Sequence, residues 1–297
     1  MKQYHGADHS RSFFEGWYFK HQAGPLAVAF IPGISLDASG KQNAFLQIIT
    51  NEGAHQASFD PSAFRAEERA LRIRVGNCLF TEEGIVLDVK SDGLECRGAV
   101  RYGRFTPLRT DIMGPFRRLP GMECRHGILS LYHKIWGRIV LNGKTYSFEN
   151  GVGYIEKDWG SSFPQKYCWV QCNDFPSGDL FISASAAKIP FLGPSFLGCI
   201  AAVHFRGTEY RLATYTGAKV EAMAPDRLII CRGDCRLEAE VLSGSGFDLR
   251  APLRGTMSRT IRESPACRVR FRFFQDGRLL FDRESSGAGF EYADASQ

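Results

Sequence analysis

No stretch of this 297-residue chain approaches the ~18 consecutive apolar residues of a membrane-spanning helix. The opening MKQYHGADHSRSFFEGWYF has no apolar signal core, so a cytoplasmic protein is expected. Charge of one sign is not concentrated either: 37 Lys and Arg against 32 Asp and Glu leave a net charge of +5. With arginine scattered, nucleic acid is not an expected partner, whereas weak peripheral attraction to an anionic membrane surface is allowed. Gly151-Val-Gly153 is too short for a phosphate loop, and no strand-loop-helix pattern follows it. No Gly-x-Ser-x-Gly elbow occurs, which argues against a hydrolase of the α/β type. The spacings Cys168/Cys172 and Cys231/Cys235 do not match zinc ligand pairs, and no histidine cluster completes them. Neither a metal nor another cofactor is therefore expected. The nine cysteines, an odd number set mostly in strand-like runs, read as reduced, buried thiols.

What the chain does have is short alternating runs. Residues 12–20, 26–32 and 44–50 read as strands, and short alternating runs then recur over 85–89, 94–102 and 128–136. The second half continues with 180–186, 197–205, 209–216, 228–231, 236–242, 268–274 and 279–284. Asn142-Gly143 signals a type I′ hairpin, and Asp276-Gly277 a second tight turn. One stretch, 65–74, rich in Arg, Glu and Ala, reads as a short helix. Residues 1–11 are polar and expected to be loose. Many short strands with regular turns and little helix mean an all-β protein, barrel or sandwich. A chain this long suggests two domains of roughly 150 residues each. A faint echo, Glu15-Gly-Trp17 against Tyr167-Cys-Trp169, suggests similar halves, 1–150 and 151–297, meeting near Glu149-Asn-Gly151.

The chain is organised around GVGYIEKDWGSSFP (151–164), followed by KYCWVQCN (166–173). Side chains of an extended strand alternate faces. Tyr154, Glu156 and Asp158 therefore share one side, and Ile155, Lys157 and Trp159 the other. In the next run Trp169, Gln171 and Asn173 share a face. In 12–20, Glu15, Trp17 and Phe19 do. Acids, amides and aromatics presented together suit the wall of a polar-spotted pocket. The plainer reading is that Glu156 and Asp158 pair with surface Arg or Lys at a barrel rim. The run GYIEKDWGSSFP, with FFEGWYFK at 13–20 and YCWVQCN at 167–173, resembles the tocopherol cyclase family. The likeness runs from Phe13 to the Arg259-Thr-Ile-Arg-Glu263 region. It implies a calycin-like fold of two lipocalin-type antiparallel β-barrels or half-barrels. It also implies closure of a chromanol ring from a prenylated hydroquinone, an isoprenoid-like hydrophobic partner.

Such a reaction protonates a trisubstituted alkene and captures the tertiary cation with a phenolic oxygen. It needs a carboxylic acid kept protonated near neutrality by burial, aromatic faces for the cation, and a polar group for the phenolic proton. The expected acids are Asp158, Glu156 and Glu15, in that order, and the resemblance ranks none of them. Glu15 reads equally well as an internal carboxylate bonded to an Arg. His126 is a candidate proton shuttle; His133, seven residues on, faces the opposite side of the same strand. Trp17, Trp159 and Trp169, with Gln171 and Asn173, are the candidate substrate-binding residues, although each also suits a core. Two other functions fit the same residues: an isoprenoid hydratase, in which water captures the cation, and a lipocalin-like binder that catalyses nothing.

Overall fold

The computed structural model describes residues 2–190 and 195–295, of which 68% are strand and 5% helical. The first of its two antiparallel sheets contains β1 (Phe13–Ala23), β2 (Leu26–Leu36), β3 (Gln42–Thr50), β4 (Ala54–Phe59), β5 (Phe64–Ala66) and β6 (Arg72–Val75). It continues with β7 (Cys78–Thr81), β8 (Gly84–Ser91), β9 (Leu94–Tyr102), β10 (Cys124–Leu141), β11 (Lys144–Ser147) and β12 (Gly151–Gly160). The second sheet begins with β13 (Lys166–Cys172), β14 (Leu180–Pro190), β15 (Ser195–Phe205), β16 (Thr208–Ala213) and β17 (Lys219–Ala224). Its remaining strands are β18 (Arg227–Arg232), β19 (Cys235–Ser243), β20 (Phe247–Leu253), β21 (Thr256–Gln275) and β22 (Arg278–Asp294).

The strand orders are β4-β3-β2-β1-β12-β10-β9-β8-β7-β6-β5 and β16-β15-β14-β13-β22-β21-β19-β18-β17, with β11 on β10 and β20 on β21. In each half the first strand pairs with its hairpin neighbour and with the half's last strand. The echo in the sequence thus has a counterpart in topology. Both Asn142-Gly143 and Asp276-Gly277 turn their hairpins with positive φ at both residues. All nine cysteines are free, and seven are buried. Three expectations need correcting. β12 pairs with β1 and β10, so the change of sheet falls between Gly160 and Lys166, one strand later than a division at residue 150. Residues 65–74 are not helical. Burial there alternates with period two, Ile73 and Val75 in and Arg72 and Arg74 out, so packing against a sheet overrides helix propensity.

The third concerns the N-terminal segment, which is docked rather than loose. Lys157 donates to the carbonyls of Lys2 and Gln3 at 3.1 and 2.8 Å. Glu15 accepts the backbone N–H groups of His5 and Gly6 at 2.7 and 3.2 Å. Glu15 and Lys157 themselves form a fully buried ion pair at 3.0 Å. Polar composition hid this because the partners of the segment lie in the core.

Each sheet carries its own apolar core, one built from residues between Phe13 and Trp159, the other from residues between Cys168 and Phe290. A third cluster, including Tyr18, Tyr154, Trp169 and Ile261, joins the two sheets.

Candidate active site

Register decides which acids meet. β1 and β12 pair with Glu15 opposite Trp159 and Tyr18 opposite Glu156. Residues directly opposite share a face. Phe14, Gly16 and Tyr18 of β1 therefore look the same way as Glu156 and Asp158, into a cavity of about 190 Å³ between the two sheets. β10 pairs with β12 on the other side, placing His126 opposite Asp158. The second sheet contributes Trp169, Glu263 and Glu291, which stand together because Trp169 is opposite Glu291 and Glu291 opposite Glu263. Apolar side chains such as Ile31, Phe45, Ile200 and Ile261 supply most of the remaining lining.

One oxygen of Glu156, Oε2, accepts from the Tyr154 hydroxyl and from Trp169 Nε1 at 3.1 Å. His126 Nε2 stands 3.5 Å from the same oxygen. On its other side the imidazole bonds through Nδ1 to Asp158 Oδ1 at 2.9 Å. Glu156 is 5% exposed, and burial raises its pKa to about 7, helped by Asp158 and opposed by His126. Burial alone would lower His126; the charges of Asp158 and Glu156 outweigh it and hold the imidazole at about 9. Across the cavity Tyr18 donates to Glu263 at 2.6 Å, and Tyr167 donates to Glu291. Burial, with Glu156 nearby, raises Glu263 to about 7. Burial and then Glu263 raise Glu291 well above the ordinary carboxyl value.

These shifts fix a sign for stability. A carboxyl whose folded pKa is raised contributes stability that is fully present below the unfolded value and lost as pH rises through the folded one. Relative to Glu263→Gln, the wild-type protein should therefore lose about 3 kcal/mol between pH 4.5 and pH 8. Paired thermal melts at pH 5 and 8 check this; a difference independent of pH would contradict the assigned burial.

The other expected site residues lie elsewhere. Glu15 faces the first core, bonded to Lys157 rather than to an Arg, because it lies one residue out of phase with Gly16 and Tyr18. Trp17 and Trp159 belong to that core too, Trp159 stacked on His5 at 4.4 Å. Gln171 accepts from buried Lys20 at 3.0 Å, and Asn173 donates to the Leu131 and Gly153 carbonyls at 3.0 and 2.8 Å. Both amides share Trp169's face, but they join the sheets instead of reaching the cavity. His133, held at about 3 by burial, bonds to Ser130 at 3.0 Å. Glu263 and Glu291 were missed. Gly289-Phe-Glu-Tyr-Ala293, a carboxylate between aromatics near a strand end, has the texture of Gly153-Tyr-Ile-Glu156 and was the available signal.

Gly16 marks neither a bulge nor a close backbone approach, since its ladder is regular and an added Cβ would meet nothing nearer than 3.8 Å. It leaves space in the cavity. Gly16→Phe is expected to fill that space, abolishing quenching of Trp169 by apolar ligands while shifting the melting temperature little. Among the described residues, His126, Glu156 and Asp158 are the set that could ligate a metal ion, with ligand atoms all within 4.8 Å of one another. One imidazole and two carboxylates suit a divalent cation, and this grouping was not anticipated from the sequence.

The tocopherol cyclase-like family profile matches residues 95–293, which include His126, Glu156, Asp158, Glu263 and Glu291. The chain belongs to the tocopherol cyclase-like family. A chloroplastic protein of Oryza sativa subsp. japonica described as a probable tocopherol cyclase is 36% identical over 97 residues, 30% of this chain and 20% of the relative. The chloroplastic tocopherol cyclase of Zea mays is 36% identical over 89 residues, 27% of this chain and 18% of its own. The chain thus matches about a fifth of the length of these relatives. Among solved structures, a candidate AttH of Nitrosomonas europaea superimposes with a TM-score of 0.56 at 13% identity, covering 95% of this chain and 92% of its own. Kievitone hydratase of Nectria haematococca gives 0.57 at 11%, covering 96% and 90%. At such identities these two establish the shared all-β, lipocalin-like architecture of the family member. No helix among its described residues is long and apolar enough to cross a membrane.

Proposed function

We propose that this family member is an acid-catalysed cyclase of a prenylated hydroquinone or related isoprenoid phenol, with Glu156 as the proton donor. The observation that supports this most is a buried carboxyl with a pKa near 7 beside an indole, opening on an apolar cavity. Oε2 of Glu156 is fully engaged, whereas among the described residues Oε1 accepts no hydrogen bond, so Oε1 carries the proton presented to the alkene. Trp169 and Tyr18, ring centroids 5.5 Å apart and nearly perpendicular, offer π-faces to the tertiary cation. Asp158, the acid expected first, takes a different role here: it bonds to Nδ1 of His126 and orients the imidazole. Charged His126 then stabilises the Glu156 carboxylate left after transfer and returns a proton to it from solvent.

A non-catalytic binder has no use for a buried acid held near neutrality against an imidazole. The discriminating experiment is incubation of the protein with a prenylated hydroquinone in D2O, followed by mass spectrometry and NMR of the product. The expected product is a chromanol with one deuterium on the ring carbon next to the new C–O carbon. A hydrated tertiary alcohol would assign the hydratase reaction, and unchanged, unlabelled substrate would overturn the catalytic reading.

A further inference from the structure

We propose that Glu263 and Glu291 form a second acid–base pair, on the opposite side of the cavity from Glu156, that binds the phenolic hydroxyl of the substrate and accepts its proton as the ring closes. This rests on the reading of Glu156 as the donor to the alkene. The two carboxyls are backbone partners on adjacent antiparallel strands, both line the cavity, and they are 4% and 6% exposed. Each is fixed through one oxygen by a tyrosine hydroxyl: Tyr18 holds Oε1 of Glu263, and Tyr167 holds Oε1 of Glu291. Among the described residues, the remaining oxygen of each accepts no hydrogen bond, and neither carboxyl makes an ion pair. The buried lysine of this face, Lys20, is committed to Gln171 Oε1 and to the Gly287 carbonyl at 2.7 Å.

Two opposed carboxyls with no ion-pair partner do not both ionise readily, and the nearby charge of Lys20 favours the charged form of Glu263, so the pair retains one proton while its other member stays a carboxylate. A carboxylate of this kind accepts a phenolic O–H, and its free oxygen is the atom left for that bond. Trp169 links the two sites: its indole N–H holds Glu156, and its backbone is opposite Glu291. In the balanced step Glu156 gives its proton to the less substituted alkene carbon, and the alkene π-bond becomes the new C–H bond. The phenolic oxygen then bonds to the tertiary cation, and its proton passes to the Glu263/Glu291 carboxylate. Product and substrate are isomers, and nothing is oxidised or reduced. Between turnovers the pair releases that proton to solvent, while Glu156 is recharged through His126.

Binding separates this proposal from the cyclase reading. The probes are a short-chain alkylated hydroquinone and its dimethyl ether, titrated by tryptophan fluorescence. The wild-type protein is expected to prefer the hydroquinone by about tenfold or more, the contribution of a hydrogen bond to a charged acceptor. Glu263→Gln and Glu291→Gln should each lose most of that preference, with melting curves confirming the fold; should one fail to fold, the other carries the test. Glu156→Gln should keep it. In D2O, Glu291→Gln should still incorporate deuterium into the prenyl chain of recovered substrate while ring closure falls about 10²-fold or more. Absence of any preference in the wild-type protein would overturn the pair's role, as would both variants retaining it. A lost preference together with full turnover by Glu156→Gln would instead reject the donor assignment and leave the pair's binding role standing.

Discussion

Replacing Glu156 with glutamine is expected to cut turnover of a prenylated hydroquinone by about 10²–10⁴-fold, the usual contribution of one general acid. Ligand affinity and melting temperature near pH 6 should change little, because glutamine still accepts from Tyr154 and Trp169. The pH dependence expected of the unmodified protein follows from the same group. Only the protonated carboxyl donates, so with a pKa of about 7 the rate should fall as pH rises through that value, while protonation of the Glu263/Glu291 acceptor lowers it again on the acid side. His126 lowers the Glu156 pKa by its charge, so His126→Asn should carry the falling limb to higher pH. A purely structural histidine would leave the limb where it was. If Glu156→Gln retained near-normal turnover on a confirmed substrate, the proton-donor assignment would be wrong.

The second large effect concerns stability. Lys157→Met leaves Glu15 without its lysine partner inside the first core, where both side chains are fully buried, with the ring of His5 at 3.0 Å as the side-chain partner that remains. Removing one member of such a pair typically costs ~3–5 kcal/mol. The same change releases the Lys2 and Gln3 carbonyls, so protease sensitivity of the first ten residues should rise with the loss of stability. Combining Glu15→Gln with Lys157→Met removes the stranded charge and should restore most of the melting temperature. Turnover per folded molecule should be retained throughout. Loss of turnover at undiminished stability would mean that Glu15 reaches the chemistry after all.

Much of this was legible in the sequence because extended chains repeat every two residues. That period alone put Glu156 with Asp158 and set Lys157 and Trp159 on the other face. It could not say on which of those faces Glu15 would fall. That depends on the register between β1 and β12, where a one-residue slip exchanges the two sets. His126 was a candidate from its type, but its bond to Asp158 exists only because β10 lies beside β12, 32 residues away in sequence. Glu263 and Glu291 were harder still. They sit on strands whose ladder is interrupted by register shifts between Ser264 and Cys267 and again before Val269, so counting back from the Asp276-Gly277 turn does not predict their pairing. Gln171 and Asn173 suited a phenol and a buried polar partner equally, and their type could not choose between the two; Asn173 holds the Leu131 and Gly153 carbonyls and Gln171 the Lys20 ammonium. The N-terminal segment was misjudged for a related reason: two charges in the core, invisible in local composition, hold it down.

The cavity lies between two sheets that each have a complete core of their own. Anything bound there touches both halves at once, so its binding energy adds to the contact between them rather than to the interior of either. A ligand at a hundred times its dissociation constant would contribute about 2.7 kcal/mol to that junction. Saturation should therefore make the two halves unfold more nearly as one unit, sharpening the denaturant transition as well as moving its midpoint. A ligand held there would act as mortar between the two sheets.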